Sequence, residues 1–247
     1  MNKSTRTVIV TGATRGLGLA IAARLQEAGF RVVATGRECS DALLALTTPS
    51  AGGPPVVFES LELGDLENVP KVGLSIARKY GPIYGLVNNA AIGRDGILAT
   101  LHQSQIVESI QVNVTGTILF TKAVLRSMLA GRTGGRIVNI SSIVSNTGYN
   151  GLSVYAATKA AMLGFTRSLA REVGSAGITV NSILPGYMET DMSAGLDADQ
   201  MASIRRRSPL GRLAETRDVA NTAAFLISDE AAAITGASLT VDAGTTA

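Results

Sequence analysis

Short runs of β-branched residues alternate with longer amphipathic segments from one end of the chain to the other, and this alternation limits the fold more than any other feature. Thr7-Val8-Ile9-Val10 reads as a buried strand, and a glycine-rich turn leads from it into a helix from about Gly16 to Ala28. Gly29 closes that helix, and Arg31-Val32-Val33-Ala34 gives a second strand. Val56-Val57-Phe58 begins a third. Asp65 is expected to N-cap a helix running towards Lys79-Tyr80, which Gly81-Pro82 stops. Ile83 to Val87 and Arg136 to Ile140 read as the fourth and fifth strands, with one long helical stretch from about Gln105 to Ala130 between them. A second long helix, Tyr155 to Val173, precedes a sixth strand from Ile178 to Leu184. A last helix (about Thr216 to Ser228) and a strand (Ser238 to Val241) follow.

Strands this continuously apolar cannot leave one face in water, so helices must cover both. The expected fold class is therefore α/β, a single doubly wound domain over residues 1–247. It should hold a parallel sheet of about seven strands with helices on both faces. No internal repeat or linker divides it, and Pro49 to Pro55 reads as a surface connection. With 46% hydrophobic residues and a mean hydropathy of +0.27, the 247 residues can fill one large core, which excludes a disordered or fibrous chain.

Charge and cysteine usage exclude further classes. A net charge of +3, from 22 basic and 19 acidic residues evenly spread, does not make a nucleic-acid surface. Arg205-Arg206-Arg207 is the one basic run. The lone Cys39 allows neither an internal disulfide nor a cysteine-based metal site, so a reducing cytosol is the expected location. Glycine ends the apolar run near the start at once, so no signal peptide is expected there. The longest charge-free stretch, Ile137 to Thr158, is rich in Ser, Asn, Thr and Gly, and no membrane span is expected. His102, the only histidine, and Cys39 stand apart from every motif.

Thr11-Gly12-Ala13-Thr14-Arg15-Gly16-Leu17-Gly18 lies between the first strand and the first helix. Glycines there permit a tight turn and let a pyrophosphate approach backbone N–H groups at a positive helix end, which makes this a dinucleotide loop. At the end of the second strand an acidic residue would bind a ribose 2′-OH. The chain has Gly36-Arg37 instead, and Arg15 lies within the glycine loop. Two guanidiniums suit a 2′-phosphate, so the cofactor expected is NADP(H). Tyr155 and Lys159 lie one helical turn apart on the same face, where the ammonium should lower the phenol from about 10 towards working pH for acid/base use. Ser142, after the fifth strand, can donate to a carbonyl oxygen as negative charge develops on it.

Along essentially its whole length the chain resembles the short-chain dehydrogenase/reductases. The matching segments are TGATRGLG at 11–18, NNAA at 88–91, Asn113 in IQVNVTG, ISS ending at Ser142, YAATK at 155–159 and PGYMET at 185–190, all in family order. The resemblance implies a Rossmann fold in which Tyr155 protonates the substrate oxygen while hydride reaches the carbonyl carbon. It implies that Lys159 binds the nicotinamide ribose and depresses the tyrosine, that Ser142 orients the carbonyl, and that Asn113 holds a relay water. Further cofactor contacts carried over by position are Gly12, Thr14, Arg15, Gly16, Leu17, Gly18, Arg37, Glu62, Leu63, Asn89, Ala90, Pro185, Gly186, Met188 and Thr190. No metal is implied.

Within the family the resemblance is to 3-oxoacyl-[acyl-carrier-protein] reductases of fatty-acid synthesis, on SLAREVGSAGITVN at 168–181, PGYMETDM at 185–192 and residues 211–242. The implied activity is NADPH-dependent reduction of 3-oxoacyl thioesters, with a substrate lid at about 191–210 where Met192, Leu196 and Met201 offer apolar contacts; Arg205 to Arg207 there read either as a site for an anionic tail or as solvated charges on a surface helix. Also implied is a homotetramer through helices 105–130 and 155–173 and the last helix and strand. Two other readings stand beside it: a dehydrogenase of another small ketone, alcohol or sugar, and a non-catalytic NADPH-binding regulator. The chain departs from the pattern at Ala91, Glu62 and Ala243, and at Ala176, where carrier-protein reductases commonly place an arginine. Arg132 and Arg136 lie on the approach to the fifth strand.

Overall fold

The computed structural model describes residues 5–47, 54–188 and 205–247. Seven strands form one parallel sheet: β1 (Thr7–Thr11), β2 (Arg31–Gly36), β3 (Val57–Ser60), β4 (Ile83–Asn88), β5 (Gly135–Ile140), β6 (Ile178–Pro185) and β7 (Ser238–Val241). Their order is β3-β2-β1-β4-β5-β6-β7. Winding runs outward from β1 to β3 and then restarts at β4 on the other side. The strand order therefore reverses between β1 and β4, and a crevice opens there at the carboxyl ends of the strands.

The helices are α1 (Gly16–Glu27), α2 (Asp41–Thr47), α3 (Val69–Tyr80), α4 (Gln103–Ile110), α5 (Thr117–Gly131), α6 (Val144–Thr147), α7 (Ser153–Val173) and α8 (Thr216–Ile227). Alternation along β1 divides the core: Val8 and Val10 pack with Ile21, Leu25, Val219 and Leu226 of α1 and α8, while Ile9 packs with Ile76, Phe120 and Leu169 of α3, α5 and α7. Both faces are thus covered, as strands of this apolarity require. No helix of the described residues is long and apolar enough to cross a membrane.

Three local readings change. Helix α3 starts at Val69, not after Asp65. The Asp65 carboxylate instead accepts from the Asn68 backbone and side-chain amides (3.3 and 2.7 Å), closing a turn before the helix, and Pro70 occupies the first helical turn, where its missing N–H costs nothing. The long helix read over 105–130 is broken by a π-helical segment, Gln111–Gly116. Helix α2 is an addition, capped by Ser40, whose Oγ accepts from the Leu43 N–H at 3.2 Å. Residues 48–53 of the connection read at Pro49 to Pro55 lie outside the described residues.

A buried polar chain crosses the sheet beneath the crevice. Asn88 of β4 and Asn139 of β5 are register partners, as are Asn139 and Ser182 of β6. Asn88 Nδ2 donates to Asn139 Oδ1 (2.8 Å) and to Thr121 Oγ1 (2.9 Å), and Asn139 Nδ2 donates to Thr166 Oγ1 (2.8 Å), which gives its own proton to Met162 O and accepts from Ser182 Oγ at 2.7 Å. The chain ties α5 and α7 to the three strands that carry the catalytic loops. Asn139 has no exposed surface, so Asn139→Ala strands its partners without water. The variant should lose about 2–4 kcal/mol of stability in urea unfolding; a loss under about 0.5 kcal/mol would show the chain to be dispensable.

Candidate active site

The glycine loop leaves β1 at the crevice and is held from three sides. From β2, Ala13 N–H donates to Thr35 O (2.9 Å), and a Cβ on Gly36 would meet Thr14 Cγ2 at 2.6 Å, so the loop lies directly on the strand end. From the α2 cap, Ser40 Oγ donates to Thr14 O. From β4, Asn89 Nδ2 donates to Thr11 O (2.9 Å) and Gly12 O (3.1 Å), while Asn89 N–H and Ala90 N–H both donate to Thr11 Oγ1 at 3.0 Å. Asn89 and Ala90 therefore brace the loop. Asn88, their neighbour, belongs to the buried chain.

Two glycines show what the loop is shaped for. A Cβ at Gly18 would lie 2.1 Å from Gly12 O, so the first turn of α1 closes against the loop without a side chain. Gly16, at φ +52°, faces open space. Helix α1 has no side-chain cap and no acidic residue in its first turn, so its N–H groups keep their attraction for an anion. A pyrophosphate fits this cradle. Leu17 is half-buried beside it. Arg15 and Arg37 are both exposed at this end of β2. Beyond β3, Leu61 N–H donates to Gly36 O (2.8 Å); Glu62 is exposed, while Leu63 is buried with its carbonyl against Gly116.

Across the crevice, α7 begins at Ser153 and places Tyr155 in its first turn, with Lys159 one turn on. Lys159 is buried and its Nζ donates to Ile140 O at 2.8 Å, 5.6 Å from the Tyr155 ring centre. The adjacent serines after β5 do different work. Ser141 is buried and its Oγ donates to Lys159 O (2.8 Å), fixing the loop to α7. Ser142 is only half-buried, and its Oγ accepts from Val144 N–H (3.3 Å), which leaves its proton to donate. Ile143 and Val144 pack with Leu163 and the Tyr155 ring, so Ser142, Tyr155 and Lys159 are held as one unit.

The expected effect of Lys159 on Tyr155 is not what the geometry gives. Burial pushes the phenol up to about 12, with the Asp95 carboxylate adding to the rise. Burial also brings Lys159 down to about 8. At about 8 Lys159 is still mostly protonated at neutral pH, but the desolvation of the phenol, with the Asp95 carboxylate beside it, outweighs the pull of that charge. The free protein therefore presents a protonated tyrosine, a proton donor rather than a phenolate.

Asn113 lies within the π segment, buried. Its Oδ1 accepts from Ile92 N–H (2.8 Å), and its Nδ2 donates to Ile92 O (2.9 Å) and Thr158 Oγ1 (3.1 Å). This links the loop after β4 to α7, with the side chain fully occupied. Pro185 and Gly186 end β6: Pro185 O accepts from Ile143 N–H (3.1 Å), and Gly186 presses on Asp242, where a Cβ would come within 2.5 Å. Met188 packs against the core; Thr190, Met192, Leu196 and Met201, with 189–204 of the lid, lie outside the described residues. Ala243 holds φ +57°, a left-handed conformation that favours glycine and costs a side chain about 1 kcal/mol.

The cations near β5 have other places. Arg136 is buried, donating to Ser228 O (3.2 Å) and Gly135 O (2.9 Å) and lying over the Tyr84 ring, so it cannot dock a partner. Arg132 and Ala176 flank the start of the β5–β6 pair, where Gly135 N–H donates to Gly177 O, and Ser142 follows the strand's other end. Within one chain the Ala176 departure is about 20 Å from the site. Arg207, by contrast, donates to Tyr149 Oη at 3.2 Å, just ahead of α7. Sequence reasoning missed Ser141 and Thr158, whose small hydroxyls look like any other at these positions. Among the described residues, no cluster of His, Cys, Asp and Glu could hold a metal.

A family model described as enoyl-(acyl carrier protein) reductase matches residues 12–246. The chain is 40% identical over 244 residues to the 3-oxoacyl-[acyl-carrier-protein] reductase FabG of Escherichia coli, covering 99% of this chain and 98% of that protein. It is 39% identical to the FabG of Vibrio cholerae, with the same coverage. A solved short-chain type dehydrogenase/reductase from Mycobacterium ulcerans superposes with a TM-score of 0.92 at 31% identity, covering 97% of this chain and 89% of that one. With a dinucleotide cradle facing a tyrosine–lysine–serine unit across the switch point of a doubly wound sheet, the chain belongs to the short-chain dehydrogenase/reductase family, the nicotinamide-dependent oxidoreductases of carbonyl and hydroxyl groups.

Proposed function

We propose that the protein is an NADPH-dependent reductase of 3-oxoacyl thioesters, yielding 3-hydroxyacyl thioesters. The observation that carries the reading is the unit of Ser142, Tyr155 and Lys159, tied by Ser141 and facing the glycine cradle. Gly12, Thr14, Arg15, Gly16, Leu17, Gly18, Leu63, Asn89, Ala90, Pro185, Gly186 and Met188, with Thr190 by family position, would hold NADPH, which when bound would supply the hydride for the carbonyl carbon. Tyr155 gives the phenol proton to the carbonyl oxygen, and Ser142 donates a hydrogen bond to the same oxygen as charge builds there. Lys159 would bind the nicotinamide ribose hydroxyls with the Nζ donors that its bond to Ile140 O leaves over. The side-chain amide of Asn113 is spent on Ile92 and Thr158, so the water-holding role falls to its main chain.

Arg15 and Arg37 support NADPH over NADH, because a 2′-phosphate would complement both guanidiniums. Glu62, exposed just after the third strand, would be the adenine contact by its position in the family pattern, with a longer side chain than the family's aspartate. The thioester comes from the relatives, whose names carry it. Loss of NADPH absorbance with acetoacetyl-CoA tests the whole reading. Turnover at least tenfold faster with NADPH than with NADH is expected; tight NADPH binding with no thioester turnover would move the substrate to another ketone, alcohol or sugar. We also propose a homotetramer. Val107 and Ile110 on α4 and Phe225 on α8 are exposed apolar residues on two of the helices that the family uses for assembly. Light scattering should give four times the 25.4 kDa chain mass; a monomer would refute it.

A further inference from the structure

Four side chains from separate segments meet outside the catalytic unit. Tyr187 directly follows Pro185-Gly186, and its ring lies 6.0 Å from the ring of Tyr149, in the segment before α7. Tyr149 is 40% exposed, and its hydroxyl accepts from Arg207 Nη2 at 3.2 Å. On the inner side, Asp95 lies close enough to Tyr155 and Tyr187 for its charge to bear on both phenols. The loop that carries Asp95 is pinned on each side: Arg94 forks onto Glu108 (2.8–3.0 Å), and Gly96 N–H donates to Gly151 O (2.9 Å). Charge therefore changes sign outward, from the Asp95 carboxylate to the Arg207 guanidinium.

A neutral acceptor holds Arg207, as Asn221 holds Arg24 on the far helices. Arg6, Arg94, Arg212 and Arg217 each pair with a carboxylate, which cancels their charge. Among the described residues Arg207 bonds only a phenol, which takes one of its five N–H donors and leaves the positive charge whole. Arg206 and Arg207 are both exposed, and the cations near the start of β5 face away from the site. A carboxylate beside the tyrosine disfavours an anion next to the reacting carbonyl, while an uncancelled guanidinium farther out favours one on the substrate's tail.

We propose that Arg207 and Tyr149 form an anion-receiving rim at the substrate mouth that takes the phosphate of a 4′-phosphopantetheine thioester, the group that coenzyme A and carrier-protein substrates share. This rests on the thioester reading above. The test compares acetoacetyl-CoA, acetoacetyl-carrier protein and the phosphate-free acetoacetyl-N-acetylcysteamine in the wild type, Arg207→Gln, Tyr149→Phe and, as control, Arg206→Gln. Arg207→Gln should raise KM about tenfold for the phosphate-bearing substrates with kcat kept, and shift the neutral thioester less than twofold. Tyr149→Phe should follow in weaker form. Added salt should lower wild-type kcat/KM for acetoacetyl-CoA and leave the variant nearly flat. Loss on both phosphate-bearing substrates assigns the shared phosphate, and loss on acetoacetyl-CoA alone assigns the nucleotide phosphates to the same rim. Equal losses on all three substrates, or none on any, would overturn the rim while leaving the thioester reading intact. A wild type that reduces none of the three would overturn both.

Discussion

Replacing Tyr155 by phenylalanine should lower kcat for carbonyl reduction by about 10²–10⁴, the range in which a positioned general acid contributes. The ring would still pack with Leu152, Ala156 and Val144, so the fold and the glycine cradle should stay as they are. NADPH affinity, read by fluorescence titration, should change by less than threefold. The prediction concerns a donor. With burial pushing the phenol to about 12, the group keeps its proton through the neutral range and delivers it as the alkoxide forms. A Tyr155→Phe variant that retained a tenth of wild-type kcat would remove the phenol from the chemistry and leave Ser142 as the sole donor.

Much of this site is legible in the sequence because it depends on residue types that few other positions require. Gly16 and Gly18 are recognisable between a strand and a helix, since one position needs a left-handed turn and the other tolerates no Cβ. Tyr155 and Lys159 are recognisable because the helical repeat puts them on one face. The strands are legible because both faces are buried and their apolar runs are continuous. Other features depend on interactions that spacing does not encode. The π segment around Asn113 carries residues that suit an ordinary helix, and only the pull of Ile92 and Thr158 on its amide marks it out. Helix α2 did carry a signal, Ser40-Asp41 ahead of Leu43, but seven residues are too few for a clear repeat. The Asp65 reading took a good capping residue as a helix start when its carboxylate closes a preceding turn. The tyrosine–lysine electrostatics fail from sequence for a different reason. One helical turn fixes the pair's separation, whereas the net shift of the phenol depends on how much water reaches it and on the Asp95 carboxylate from another loop, and those are properties of the whole core.

The same burial makes Lys159 costly to the free protein, and Lys159→Met should be both nearly inactive and more stable. A lysine ordinarily near 10.5 and held at about 8 gives the unfolded chain the tighter grip on its proton. Below pH 8 this costs the folded state about 3 kcal/mol. Methionine fills similar volume without charge, although it leaves Ile140 O without the Nζ donor, a loss of about 1–2 kcal/mol. The net gain at pH 7 should be about 1–2 kcal/mol in urea unfolding. The sign of its pH dependence follows from the depressed value. Between pH 8 and 10.5 the unfolded lysine binds more protons than the folded one, so wild-type stability rises with pH while the methionine variant lacks this term. The variant's advantage should therefore shrink by about 2 kcal/mol between pH 7 and pH 9.5, which removes or reverses it. Tyr155 does not disturb the comparison, because its raised value acts above pH 10 and is common to both proteins. A stability difference that stayed constant across this window would mean that Lys159 is as well solvated when folded as when unfolded. The site would then hold an ordinary ammonium.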